Sequence, residues 1–144
     1  MEVLSKSTEN TKELAGQLTP KIKSGSVIAL YGDLGSGKTT FVKYLVEALG
    51  SGSKVQSPTF VLIRTYKIAG KELKKIHHVD LYRITDTREL HNLGLEELIS
   101  EPQSVCLIEW PEIVEKILPV NTIKIHFEYV EENVRRISCE EFDV

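Results

Sequence analysis

At 144 residues and a formal net charge of −3, with 41% apolar and 27% charged side chains, the chain suits one domain around one core. The negative balance excludes a protein that lives by wrapping nucleic acid, which needs clustered Lys and Arg, although a local basic patch stays compatible with it. No apolar run approaches the roughly 20 residues that cross a bilayer as a helix.

Met1 to Ser5 carry no basic segment followed by an apolar one, so no secretion signal and no membrane association are expected. Cys106 and Cys139, the only cysteines, stand far apart and read as reduced, structural thiols of a cytoplasmic protein. Thr8 is placed to cap a helix through Leu14 and Leu18, which Pro20 helps to end. Ser26 to Tyr31 is a short apolar run and reads as a buried strand. A glycine-rich loop follows, then a helix from Thr39 to Leu49 that Gly50 stops. Phe60–Ile68 and Leu73–Tyr82 predict two strands joined by a turn at Ala69-Gly70-Lys71. Asp86 can cap a short helix through Leu90, and Leu95–Ile99 predicts a second. Val105–Ile108 is another buried strand, and Pro111 opens a helix through Leu118. Thr122–Val130 and Val134–Cys139 alternate like a hairpin turning at Glu131-Glu132-Asn133.

Gly32-Asp33-Leu34-Gly35-Ser36-Gly37-Lys38-Thr39 fits G-x-x-x-x-G-K-[ST] at every position, between a strand and a helix. Glycines let the backbone turn so that successive N–H groups face one concavity. That concavity sits at a helix N-terminus, whose partial positive charge favours phosphate. Lys38 would reach the β- and γ-phosphates, the Thr39 hydroxyl would ligate magnesium, and Thr40 can add an α-phosphate contact. The fold class expected is α/β: a P-loop NTPase-like layered sheet with central parallel strands, antiparallel additions and flanking helices.

A P-loop protein usually carries a second acid at the end of a buried strand, near the metal. Glu109 follows four apolar residues and matches best; Asp80 follows the more polar Ile76-His77-His78-Val79 and equally suits a turn or capping carboxylate. Trp110 stands next to Glu109 and so near the site, or is a core aromatic. Ser57-Pro58-Thr59 reads as a strand entry or as a switch segment in which Thr59 senses the γ-phosphate. His77 and His78 are strand neighbours facing opposite ways, and His91 and His126 lack ligand-spaced partners, so no histidine metal site is expected. Arg64, Lys67, Lys71, Lys74 and Lys75 gather on the middle hairpin, as a solvated edge or as a contact for RNA or an acidic partner. Arg135 and Arg136 in the last hairpin read as exposed strand residues, with a nucleotide contact as the lesser alternative, and no arginine finger is evident beside the loop. The absence of N-K-x-D and L-S-G-G-Q argues against a GTPase and an ABC-type ATPase.

Five ordered segments resemble the TsaE family of bacterial tRNA threonylcarbamoyladenosine biosynthesis ATPases. They are Tyr31 to Phe41; Val55-Gln56-Ser57-Pro58-Thr59-Phe60; His78-Val79-Asp80-Leu81-Tyr82-Arg83-Ile84; Glu89-Leu90 with Leu93-Gly94; and Ile108-Glu109-Trp110-Pro111. Lys43 and Tyr44 depart from the family's usual Arg and Gly, and the N-terminal helix and last hairpin match only loosely. The resemblance implies one ATPase domain over residues 1–144. Gly35, Ser36, Gly37, Lys38, Thr39 and Thr40 would bind the phosphates of ATP or ADP. Thr39 and Glu109 would hold Mg2+, and Asp80 would lie close to the metal and the attacking water; either Asp80 or Glu109 would position that water. Thr59 would lie in a switch segment and Trp110 beside the site. The adenine preference rests on the resemblance alone. It further implies a weak, partner-activated ATPase that resets a TsaB–TsaD-type transferase complex between rounds and meets tRNA through that complex. A nucleotide-dependent binding module and a small-molecule phosphotransferase are the other classes that fit a phosphate loop; the later segments have no place in the phosphotransferase.

Overall fold

A computed structural model describes residues 1–52 and 62–140. In chain order the elements are β1 (Glu2–Ser5), α1 (Thr8–Leu18) with a 3₁₀ turn (Thr19–Lys21), β2 (Val27–Tyr31), α2 (Lys38–Ala48), β3 (Ile63–Lys67), β4 (Lys75–Asp80), α3 (Thr87–Leu93), α4 (Leu95–Ser100), β5 (Ser104–Glu109), a 3₁₀ segment (Pro111–Ile117), β6 (Ile123–Glu131) and β7 (Val134–Cys139). The strands form a seven-stranded sheet in the order β1-β7-β6-β2-β5-β4-β3. The middle four, β6, β2, β5 and β4, run parallel. β3, β7 and β1 add antiparallel edges. The α/β class with antiparallel additions is therefore what the structure has.

Strand character follows from what covers each strand. β5 is buried along its whole length, and β2 is buried from Val27 to Leu30, because helices lie on both faces. One face carries α1 and α2: Leu14, Leu18, Phe41 and Leu45 pack on Ile28, Leu30, Ile76 and Leu107. The other carries α3, α4 and the 3₁₀ segment: Leu90, Leu95 and Val114 pack on Val27, Val79, Cys106 and Ile108. Phe41, fully buried, meets Phe127 edge-on at 5.4 Å. Truncating such a ring costs about 3–5 kcal/mol in transfer and cavity terms. Burial pushes the Cys106 thiol up to about 12, which makes it inert.

Boundaries differ from expectation for local reasons. Ser7, not Thr8, caps α1: its hydroxyl accepts from the Asn10 N–H at 3.2 Å, and Thr8 is already helical. Asp86 caps α3 as expected, accepting from the Arg88 N–H at 2.9 Å. The strand predicted to Tyr82 ends at Asp80, and the Pro111 segment is 3₁₀ rather than α-helix. β1, four residues long, was not expected; its register comes from pairing with β7 at the far end of the chain. The hairpin turn falls where predicted, with Asn133 left-handed at φ 63°. Thr59 and Phe60 lie outside the described residues. No helix among the described residues is long and apolar enough to cross a membrane.

Candidate functional site

The carboxyl ends of β2, β4 and β5 meet at one edge of the parallel sheet, where α/β folds place ligands. β2 runs into the glycine-rich loop. Gly32, at φ 146°, touches the neighbouring strand: a Cβ there would lie 2.6 Å from the Phe127 carbonyl oxygen and 2.7 Å from Ser36 Oγ. Gly37 is left-handed at φ 103° and starts α2 without a side-chain cap. The first N–H groups of α2 therefore face the loop with no capping side chain. Ser36 Oγ is buried and has no hydrogen-bond partner among the described residues. A polar orphan within a ring of backbone donors fits a phosphate oxygen.

Lys38, the first residue of α2, is buried at 5% exposure. Its Nζ donates to the Gly32 carbonyl and sits 3.7 Å from the centroid of the Trp110 ring. Burial lowers its pKa, while Glu109 and Asp80 pull the other way. Desolvation of this kind makes an anion at the Nζ more welcome than water would.

Asp80 and Glu109 are register partners at the ends of adjacent parallel strands, and both are buried. Asp80 Oδ1 accepts from the Tyr82 N–H at 2.9 Å, as the chain turns out of β4. Glu109 Oε2 lies 2.6 Å from Nε2 of fully buried His78. A proton on Nε2 donated to this carboxylate leaves His78 Nδ1 as an acceptor, and it has no partner among the described residues. His78 thus fixes the Glu109 rotamer. It shares a face of β4 with Asp80, whereas His77 turns away to Thr65 and Glu101. Trp110 is left-handed at φ 58°, rare for a bulky residue, and that bend lays its ring beside Tyr82 and over Lys38.

The loop from Leu34 to Thr40, Asp80, Glu109, Trp110 and Arg135 line one cavity of about 250 Å3. Three candidate sets, the loop, the two acids and the tryptophan, therefore converge as expected. Thr59 lies outside the described residues. Arg135, for which sequence reasoning preferred an exposed strand position to a nucleotide contact, lines the cavity too. Its Nε donates to the Gly35 carbonyl at 3.1 Å, Nη1 to the Glu131 and Val134 carbonyls, and its guanidinium packs on Tyr129 at 4.4 Å. Arg135 therefore stands beside the loop, held to its backbone. Arg136 faces the other way, bonded to Glu128 at 2.8 Å and near Glu2. A period-two alternation separates the two, but nothing in the hairpin's sequence says which face meets the loop.

The Thr39 hydroxyl and the carboxylates of Asp80 and Glu109 are hard oxygen donors beside the phosphate cradle. That set fits magnesium, which takes one or two carboxylates together with substrate phosphates.

The family model "Threonylcarbamoyl adenosine biosynthesis protein TsaE" matches residues 5–137. The chain belongs to the TsaE family. It is 38% identical over 130 residues to the tRNA threonylcarbamoyladenosine biosynthesis protein TsaE of Bacillus subtilis, covering 90% of this chain and 78% of that protein. The Rickettsia felis TsaE is 37% identical over 131 residues, 90% of this chain and 74% of that one. The Haemophilus influenzae TsaE is 40% identical over 106 residues, 74% and 65% respectively. The crystal structure of Bacillus subtilis YdiB superposes with a TM-score of 0.73 at 31% identity, covering 95% of this chain and 82% of that chain.

Proposed function

We propose that this TsaE chain binds and hydrolyses ATP as a single cytoplasmic domain in the biosynthesis of tRNA N6-threonylcarbamoyladenosine. The hydrolysis is slow alone and faster when a TsaB–TsaD-type complex engages it, and tRNA is met through that complex. The observation that carries this reading is the convergence of the loop, buried Lys38 and two buried carboxylates on one cavity.

The loop N–H groups and Ser36 Oγ hold and orient the phosphates, and Lys38 offsets charge on the β- and γ-phosphates. Thr39 and Glu109 would hold magnesium, with Asp80 close by; when bound, the metal supplies further charge neutralisation at the phosphates. Asp80 or Glu109 orients the attacking water, so that its oxygen bonds to phosphorus as the bond to the bridging oxygen breaks. Trp110 screens Lys38 from solvent and strengthens its pull on developing charge. Thr59 belongs to the segment that senses the γ-phosphate.

The test is the yield of modified adenosine per transferase complex, with tRNA and ATP, with and without this chain. The chain raises the yield from about one round to many, and Lys38→Ala does not. An unchanged yield with ATP still bound would defeat the proposed role.

A further inference from the structure

Three buried side-chain atoms have no hydrogen-bond partner among the described residues: Ser36 Oγ, Arg64 Nε and His78 Nδ1. Ser36 lines the phosphate cavity. With the Nε2 proton of His78 given to Glu109, the other two atoms are a donor and an acceptor. They belong to directly opposed residues, because Arg64 on β3 is the register partner of His78 on β4. We propose that Arg64 and His78 act together as positioning residues for Glu109: Arg64 Nε–H closes on His78 Nδ1, and His78 Nε2–H holds the Glu109 carboxylate. The inference rests on the hydrolytic reading of the site and adds to it the side chains that hold one of its acids still.

Placement is the first argument. Residues opposed in an antiparallel pair share a face of the sheet, with Cβ atoms about 4.5–5.5 Å apart. The arginine stem spans that gap. β3 is an edge of the seven-stranded sheet, so Arg64 can turn on its own side-chain torsions without moving the strand. His78 is fully buried and bonds Glu109 Oε2 at 2.6 Å, so its ring is already aimed. Burial is the second argument. Lys67, Lys71, Lys74 and Lys75 of the same hairpin are exposed, whereas Arg64 is half-buried. A buried guanidinium N–H left without an acceptor is costly, and so is an imidazole nitrogen left without a donor; one bond satisfies both. Chemistry is the third argument. A ring that accepts from a cation at Nδ1 is a better donor at Nε2, and the same bond fixes which nitrogen carries the proton. Outer partners of this kind, behind a carboxylate that would hold a metal, are worth about 10- to 100-fold in metal affinity or activity.

Four substitutions in the full chain test the relay. Arg64→Met keeps the apolar stem and removes the donor; Arg64→Lys keeps the charge without a donor at the Nε position. His78→Asn ends short of Glu109, whereas His78→Gln brings an amide N–H near the place of Nε2. Steady-state phosphate release should give a kcat about tenfold lower for Arg64→Met and Arg64→Lys, with KM for ATP within a few-fold of wild type. His78→Asn should lose about 10- to 100-fold, and His78→Gln should recover most of it. The double variant of Arg64→Met and His78→Asn should be no slower than His78→Asn alone. Calorimetry supplies a readout without turnover. ATP affinity in EDTA stays at the wild-type level in every variant, which also shows that the loop is folded, while the gain in affinity on adding magnesium shrinks by the same factors. Single effects that multiply in the double variant overturn the inference, as does an Arg64→Met protein with wild-type kcat and wild-type magnesium gain. Full activity in Arg64→Lys overturns it too, since charge alone would then suffice. A wild type that binds ATP and releases no phosphate defeats the hydrolytic reading instead, and the magnesium gain then decides the inference by itself.

Discussion

On one flank of the phosphate loop, Asp80, Glu109 and Trp110 come from the ends of two adjacent parallel strands. On the other, Arg135 comes from an antiparallel hairpin and meets Gly35 across 100 residues of sequence. The first flank is set by strand ends that the sheet already holds in register, and buried His78 locks its glutamate. The second is set by one side chain, anchored through carbonyls of its own turn. On the function proposed above, chemistry that needs charge held still away from water belongs to the first flank, and a further contact to the nucleotide to the second. Each flank should therefore fail in its own way when broken.

The largest effect expected is from Lys38→Ala, since Lys38 lies between the flanks and serves both. ATP hydrolysis falls by about 10²–10³-fold, as for loss of one preorganised donor at developing charge, and ATP binding weakens with it. Steady-state phosphate release and calorimetry check both arms. Hydrolysis at the wild-type rate would remove Lys38 from the mechanism.

Glu109→Gln isolates the first flank. The amide still accepts from His78 Nε2, so the side chain stays placed while its charge goes. Hydrolysis drops by about 10²–10⁴-fold, the range for a lost acid or base, with ATP binding within a few-fold of wild type. If this variant still supports repeated rounds of tRNA modification, occupancy rather than hydrolysis drives the cycle, and the chain acts as a nucleotide-dependent binding module.

Arg135→Ala isolates the second flank, and Arg136→Ala is its control one residue on. A charge-assisted hydrogen bond contributes about 1.5–3 kcal/mol, so losing Arg135 should weaken ATP by about 10- to 100-fold while kcat changes little. Arg136 bonds Glu128 and Glu2 on the exterior, and its loss should leave nucleotide binding alone. A fall in kcat without a change in affinity for Arg135→Ala would move Arg135 to the hydrolytic end and sharpen the comparison in the other direction.

The same contrast governs what the sequence could reveal. Val27 to Tyr31 and Val105 to Ile108 announce themselves because a strand covered on both faces must be apolar throughout. Glycine spacing in the loop is legible because Gly32 abuts the Phe127 backbone and nothing larger fits. Asp80, Glu109 and Trp110 are legible through the segments around them. Arg135 is not: its role depends on which face of a hairpin the loop meets, a tertiary fact with no local signal. β1 is hidden for the same reason, since four residues gain strand character only from β7. Ser7 for Thr8 is a one-residue slip between two residues with equal capping chemistry, decided by backbone angles.

The smallest effect expected tests β4, whose two faces carry one histidine each. His78 pairs with Glu109 inside the site, while His77 pairs with Glu101 at the margin, where Lys75 also reaches Glu101 at 3.2 Å. His77 first, and then Lys75, hold the Glu101 carboxyl below its ordinary range. A carboxylate whose folded pKa is depressed stabilises the fold above its unfolded pKa. That contribution fades as the pH falls through the folded value. Glu101→Gln should therefore lower the unfolding temperature slightly at neutral pH. The gap should close on acidification below the depressed value, and the Lys75 share of it also with added salt, because Lys75 is exposed. ATP hydrolysis should be untouched, since Glu101 lies on the face of β4 away from the loop. Thermal unfolding of both proteins across that pH range, with phosphate release measured alongside, checks the point. A gap that widens in acid would mean that Glu101 is not stabilised as the ion, and a loss of hydrolysis would mean that the two faces of β4 are coupled.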